Sequence, residues 1–260
     1  MRAVSLAHFL FSAGLAGLGL LSLLSGDFAL NWQPVPQWLP WRAPLAYASG
    51  LLLLAGGIGM LVKRTAIPCA VAMAAYMLSW VLLLQVPRVI QAPGDLGMWL
   101  GFAESSWLFC GGWIVYEKLS GPRTGWNIVV TRILFGIACL ILGASHFVFT
   151  DATVGMIPVW IPGRVGFAYL TGAGHFATGL AILSGVLPRL AATAEACMIC
   201  TFVLLVHIPG VIAAPGSRLQ WTMVFVALAL AGSAWAMAES LRGESWLWRH
   251  KSQAIAAAAG

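Results

Sequence analysis

Eight times along its 260 residues the chain holds a run close to the roughly 20 apolar residues that a helix needs to cross a bilayer. The runs fall at about 6–24, 45–62, 67–86, 96–115, 128–146, 165–185, 190–207 and 219–238. Breaks of Pro, Gly or charge separate them, as in Pro87 to Asp95 and Pro209 to Arg218. Lipid offers bare backbone groups no partner, so a spanning segment is either a helix or a strand of a closed barrel. These runs are continuous and lack period-two alternation, which selects helices. Only 8% of the residues are charged and 60% are hydrophobic, against about a quarter charged in a soluble domain. A water-soluble globule is excluded. The formal charge of +6 lies in short loops between the runs, a pattern of membrane topology and not of nucleic-acid binding.

The placement of Lys and Arg predicts the orientation. Arg2, Lys63, Arg64, Lys118, Arg123, Arg132, Arg189, Arg242, Arg249 and Lys251 fall on the N-terminal side, whereas Arg42, Arg88, Arg164 and Arg218 fall on the other. The positive-inside rule then puts both termini in the cytoplasm of a bacterial-type inner membrane. The first run, with Arg2 before it and Leu15 to Leu24 within it, has some features of a signal peptide. It has a counterpart in the second half, however, which identifies it as a span.

That counterpart belongs to an internal repeat. Pro36-Gln-Trp-Leu-Pro-Trp-Arg42 matches Pro158-Val-Trp-Ile-Pro-Gly-Arg164 at an offset of 122 residues (158 − 36 = 122). At the same offset Gly57 meets Gly179, Pro87 meets Pro209, Ala92-Pro93-Gly94 meets Ala214-Pro215-Gly216, and Trp99 meets Trp221. Prolines, tryptophans and an arginine in register across loops do not arise from apolar composition alone. Four spans per copy is an even number, so both copies enter the membrane from the same side. The expected architecture is an all-α membrane protein of eight transmembrane helices, arranged as two parallel tandem four-helix bundles. Residues 1–121 form the first, read as scaffold, and residues 122–260 the second, which carries the polar site.

Ionisable residues found in one copy only point to that site. The second half has His146, Asp151, His175, Glu195 and His207 where the first has Leu24, Ala29, Leu53, Met73 and Gln85. Counting down the helices at about 1.5 Å per residue puts His175 near the bilayer centre and Glu195 about 8 Å deep. A charge there costs about 2.5–3.5 kcal/mol or more, so each is expected to face the bundle interior and a partner, which for these two is each other. Three roles follow. The pair is structural glue; or His175, Glu195, Tyr169 and Arg164 form a proton relay or quinone site; or His146, His175 and His207 hold a metal or haem. The count places His175 half a membrane below the other two histidines, and metal–nitrogen bonds of about 2.0–2.1 Å do not span that gap. His146 and His207 are left as an outer pair. Cys197-Met-Ile-Cys200 has redox spacing, but lies in an apolar helix with nothing to lower a thiol pKa.

In the second half, Arg132-Ile-Leu-Phe-Gly opens a first helix and Pro158 to Arg164 closes an outer loop. Tyr169-Leu-Thr-Gly-Ala-Gly-His-Phe-Ala-Thr-Gly and Leu205-Val-His-Ile-Pro209 follow. With these motifs the chain resembles the DoxX family of small four-helix membrane proteins, which is related to DoxD of thiosulfate:quinone oxidoreductase and more distantly to MauE-like proteins. The resemblance covers residues 128–240 well and 1–117 as a degenerate copy, and it departs at His175, near where many relatives carry Glu. It implies a redox-associated membrane subunit that interacts with quinone through the second module and works with a partner membrane or peripheral protein. The polar residues of that module, Arg164, Tyr169, His175, Glu195, His207 and His146, are the candidates for binding it. The alternatives are a non-catalytic subunit or assembly factor packed against a larger complex, and a small-solute carrier.

Overall fold

The computed structural model describes residues 4–121 and 126–246, and among these the regular elements are all helices. Arg2, Arg123, Arg249 and Lys251 of the orientation argument lie outside the described residues. The elements are α1 (Leu6–Ser25), α2 (Arg42–Leu61), α3 (Ala66–Gln91), α4 (Leu96–Ser120), α5 (Trp126–Val148), a short α6 (Thr150–Met156), α7 (Arg164–Ser184), α8 (Pro188–Ala213) and α9 (Arg218–Ser240).

Seven of these are long and apolar enough to cross a membrane: α1, α2, α3, α5, α7, α8 and α9. The remaining long helix, α4, has 25 residues and carries Glu104, Glu117 and Lys118. It packs against α3, α5 and α9. Neighbouring helices therefore replace lipid around much of its surface, and its sequence is freer to be polar.

The repeat reappears in element boundaries. Ala66–Gln91 and Pro188–Ala213 are offset by 122 residues at both ends (188 − 66 = 213 − 91 = 122). Each contains one π-helical stretch, Trp80–Gln85 in α3 and Val203–His207 in α8, separated by a single residue from Pro87 and Pro209. A proline inside a helix lacks an N–H and crowds the carbonyl four residues back, and a wider π turn absorbs both defects. At the loops that follow, Trp99 Nε1 donates to the Pro93 carbonyl and Trp221 Nε1 to the Pro215 carbonyl, both at 2.9 Å.

Packing interlocks the two halves. Within them α1 lies on α2, α3 on α4, α5 on α7 and α8 on α9; between them α1 packs against α9, α4 against α5, and α4 against α9. The first helix of each half thus meets the fourth helix of the other. In lipid the apolar effect gives helices little reason to associate, so close van der Waals approach carries the contact. At the α1–α9 seam, a Cβ on Gly14 would meet the backbone of Ala229, and one on Gly232 the backbone of Phe11. α9 is the most enclosed span, 72% of it buried, whereas α8 is buried over only 17%.

Candidate functional site

The site begins where α5 and α7 touch. A Cβ on Gly172 would stand 2.8 Å from the Cβ of His146, so Gly172 and His146 lie at one level and His175 lies a single turn below. Helical side chains lean toward their own N-terminus. In antiparallel α5 and α7 the two imidazoles therefore lean toward each other, and their ring centroids are 5.0 Å apart. The residue count in the sequence had separated them by half a membrane. It failed because it took the ends of α5 and α7 as equally deep, although α6 and its loops extend the chain beyond α5.

His175 is 1% exposed and its Nδ1 is 2.7 Å from Oε1 of Glu195, whose side chain is fully buried. The two groups are close enough for an ion pair, but the approach lies off the direction that a ring N–H takes, and neither Glu195 oxygen meets an aligned donor among the described residues. A buried acid held this way is an unusual expense in a protein interior. Edge-on rings of Trp107 and Phe202, with centroids 6.2 and 6.3 Å from that of His175, complete its walls. His146 Nδ1 lies 3.3 Å from the Ala168 carbonyl and 2.9 Å from Thr171 Oγ1. A carbonyl only accepts, so the first contact requires the Nδ1–H tautomer.

A cavity of about 670 Å³ opens onto these groups. His146, His175 and His207 line it from the second half, and Glu104, Asp27, Arg42 and Arg88 from the first. Asp27, in the loop after α1, pairs with Arg42 and with Arg218 Nη1 at 3.2 Å, and Arg218 Nη2 also donates to the Phe28 carbonyl. Burial pushes the Asp27 carboxyl up, but hydrogen bonds from the Phe28 N–H, Arg42 and Arg218 outweigh it and hold the group below its ordinary value.

Of the residues singled out from sequence, His146, His175 and His207 line one cavity with Glu195 directly behind His175. Arg164 and Tyr169 are elsewhere. Arg164 Nη1 reaches the carbonyls of Val154 and Ile157 at 3.5 Å each, bracing the loop after α6. Tyr169 is 45% exposed and stacks on Phe147 at 5.6 Å. The cysteines of the CxxC face different surroundings: Cys197 is exposed, and Cys200 Sγ accepts from Trp235 Nε1 at 3.4 Å. Among the described residues no three His, Cys, Asp or Glu side chains are grouped to hold a metal ion.

Sequence reasoning missed Glu104 and the Asp27–Arg42–Arg218 cluster. The same repeat comparison finds Glu104 when run in reverse, because its counterpart 122 residues later is Val226. Fold and composition define the chain as a multi-pass helical membrane protein. Comparison with known protein families, with curated proteins and with solved structures finds no match.

Proposed function

We propose that this protein spans an inner membrane eight times with both termini in the cytoplasm, and that its outward cavity binds the head of a quinone. Two-electron reduction of a quinone takes up two protons and yields a quinol, so the site needs acids beside the ring oxygens. His175, backed by Glu195, supplies one; Glu104, lining the cavity from the other half, supplies the second. The electrons come from a partner redox protein, and the same groups accept the protons when the reaction runs toward quinone. The observation that carries this reading is the 2.7 Å His175–Glu195 contact, almost fully removed from solvent at the wall of a 670 Å³ cavity. Apolar burial of an ionisable pair marks function in a membrane interior, where structure alone rarely retains it.

The test is equilibrium binding of 2,3-dimethoxy-5-methyl-1,4-benzoquinone to the full chain in lipid nanodiscs, read by quenching of tryptophan fluorescence. Trp107 is 6.2 Å from His175 and reports on the site. His175→Leu and Glu195→Gln are expected to weaken binding about tenfold or more, about 1.4 kcal/mol, without changing the elution volume. Equal affinity in wild type and both variants, or no binding by the wild type, would overturn the reading.

A further inference from the structure

Between α7 and α8, beneath α6, a second cavity of about 520 Å³ lies against the first, and His146, Met156, Phe202 and His207 line both. Its other walls are almost wholly apolar, among them Leu170, Met198 and Leu205. Leu170 is 64% exposed and Leu205 39%, so the groove is open on the outer surface of the helices. In a membrane-spanning chain that surface faces hydrocarbon. One wall belongs to α8, the least buried of the seven candidate spans.

The first half shows what this position looks like when it is closed. There Gln33 Nε2 donates to Tyr76 Oη at 2.8 Å and to Ser49 Oγ at 3.0 Å, and Tyr76 Oη donates to Ser49 Oγ at 2.7 Å. Trp80 beside them is 1% exposed. This hydrogen-bonded plug ties the loop after α1 to α2 and α3. At the offset of 122 the second half has Gly155 for Gln33, Thr171 for Ser49, Met198 for Tyr76 and Phe202 for Trp80. Gly155, Met198 and Phe202 are each smaller than their counterparts and lack the polar group. Thr171 keeps the hydroxyl of Ser49 but turns it to His146 Nδ1 and the backbone of its own helix. The seam is a groove in place of a plug. Two copies of one unit thus differ at the point where the histidine cavity meets lipid.

We infer that the groove is the lateral entrance from the outer leaflet and holds the hydrocarbon tail of the molecule whose head occupies the histidine cavity. The ligand class is an amphiphile with a small polar ring and a single apolar chain. This rests on the quinone reading above and narrows it to tailed, membrane-borne quinones that arrive sideways. Hydrocarbon gains little by leaving lipid for an apolar groove. The groove therefore orients the ligand and admits it, and tail length is not expected to raise affinity per mole of lipid by much.

The experiment uses the same quinone head carrying a ten-carbon tail with a terminal diazirine, in nanodiscs, dosed by mole fraction of lipid. Photolabelling of the wild type is expected to concentrate on α7 and α8 and to be competed by the unlabelled tailed quinone. The double variant Gly155→Gln with Met198→Tyr rebuilds the first half's plug. An added side chain at Gly155 starts in open space. It is expected to lower labelling of α7 and α8 about tenfold, while the tail-less head still binds with wild-type affinity. Label spread evenly over all lipid-facing helices of the wild type would overturn the inference and leave the quinone site standing. Retention of the α7–α8 label in a folded plug variant would do the same. If the tail-less head does not bind the wild type, the quinone reading fails and this inference fails with it.

Discussion

Asp27 shows how a side chain outside the spans fastens the mouth of the cavity. Its carboxylate joins Arg42 at the start of α2 to Arg218 at the start of α9, so it links the two halves. Because its folded pKa is held below the ordinary value of 3.8, its contribution to stability is complete above that value. It disappears as pH falls through the lower folded value. Partly exposed pairs of this kind, here 20–28% exposed, contribute about 0.5–1 kcal/mol. Asp27→Asn is therefore expected to lower the thermal midpoint in detergent at pH 7. It should also remove this share of the midpoint's fall below pH 4, which wild type retains. His175 and Glu195 were legible in sequence because ionisable residues in apolar runs stand out against their neighbours. Glu104 stands out just as much, but its counterpart is Val226, so it is polarity kept in the first copy and not gained in the second. Asp27 was legible only as a loop acid, since nothing local to it announces two arginines from distant helices.

Helix α8 owes its route past the cavity to Pro209. The proline forces the π stretch Val203–His207, and an extra residue in one turn rotates everything before it relative to everything after it by about 100°. His207 ends that stretch and lines both cavities. Pro209→Ala restores the missing N–H and lets the helix close as an ordinary α-helix. The expected result is an unchanged or higher thermal midpoint with about tenfold weaker binding of the quinone head, as His207 turns away. Unchanged binding would show that the π turn does not place the histidine. The long helices were readable to within six residues at their ends (213 − 207 = 6 at the widest) because hydropathy and Pro–Gly breaks are local, whereas the short α6 was not. The π turns were not, since a proline near a helix end is equally compatible with a kink or a stop. The depth of His146 relative to His175 also escaped the residue count. It depends on how far α5 slides against α7, which Gly143 and Gly172 determine by close approach.

The interlocked arrangement has a consequence for topology. If both halves enter the membrane from one side, the loops holding Asp95 and Ser217, which cap α4 and α9, share the face opposite the termini. A green fluorescent protein fused to the C-terminus is expected to fluoresce in a bacterial host, and alkaline phosphatase inserted at Gly94 to be active outside the cytoplasm. The converse pattern would reverse the orientation. At the basic end of the bundle Lys118 pairs with Glu239, and Arg132 lies 3.8 Å from Glu244. Among the described residues, Lys63, Lys118, Arg132, Arg189 and Arg242 of the sequence-derived set are gathered at that end. The count of charges along the chain anticipated that gathering, because alternating spans deliver alternate loops to the same end. The lining of the cavity by both halves was not anticipated. A comparison of two copies treats each as a unit and says nothing of which helix of one lies beside which helix of the other.

Apolar length, loop charge and a 122-residue register are additive along the chain, so the choice of lipid as solvent, the helical class and the duplication could be derived from the order of residues. Convergence of His146, His175 and Glu104 on one cavity with Glu195 behind His175, and the opening of a groove where the earlier copy has a plug, depend on how helices far apart in sequence rotate, slide and exchange neighbours. Those variables are set by steric contacts such as Gly14 on α9 and Gly172 on α5, and they exist only once the chain has packed.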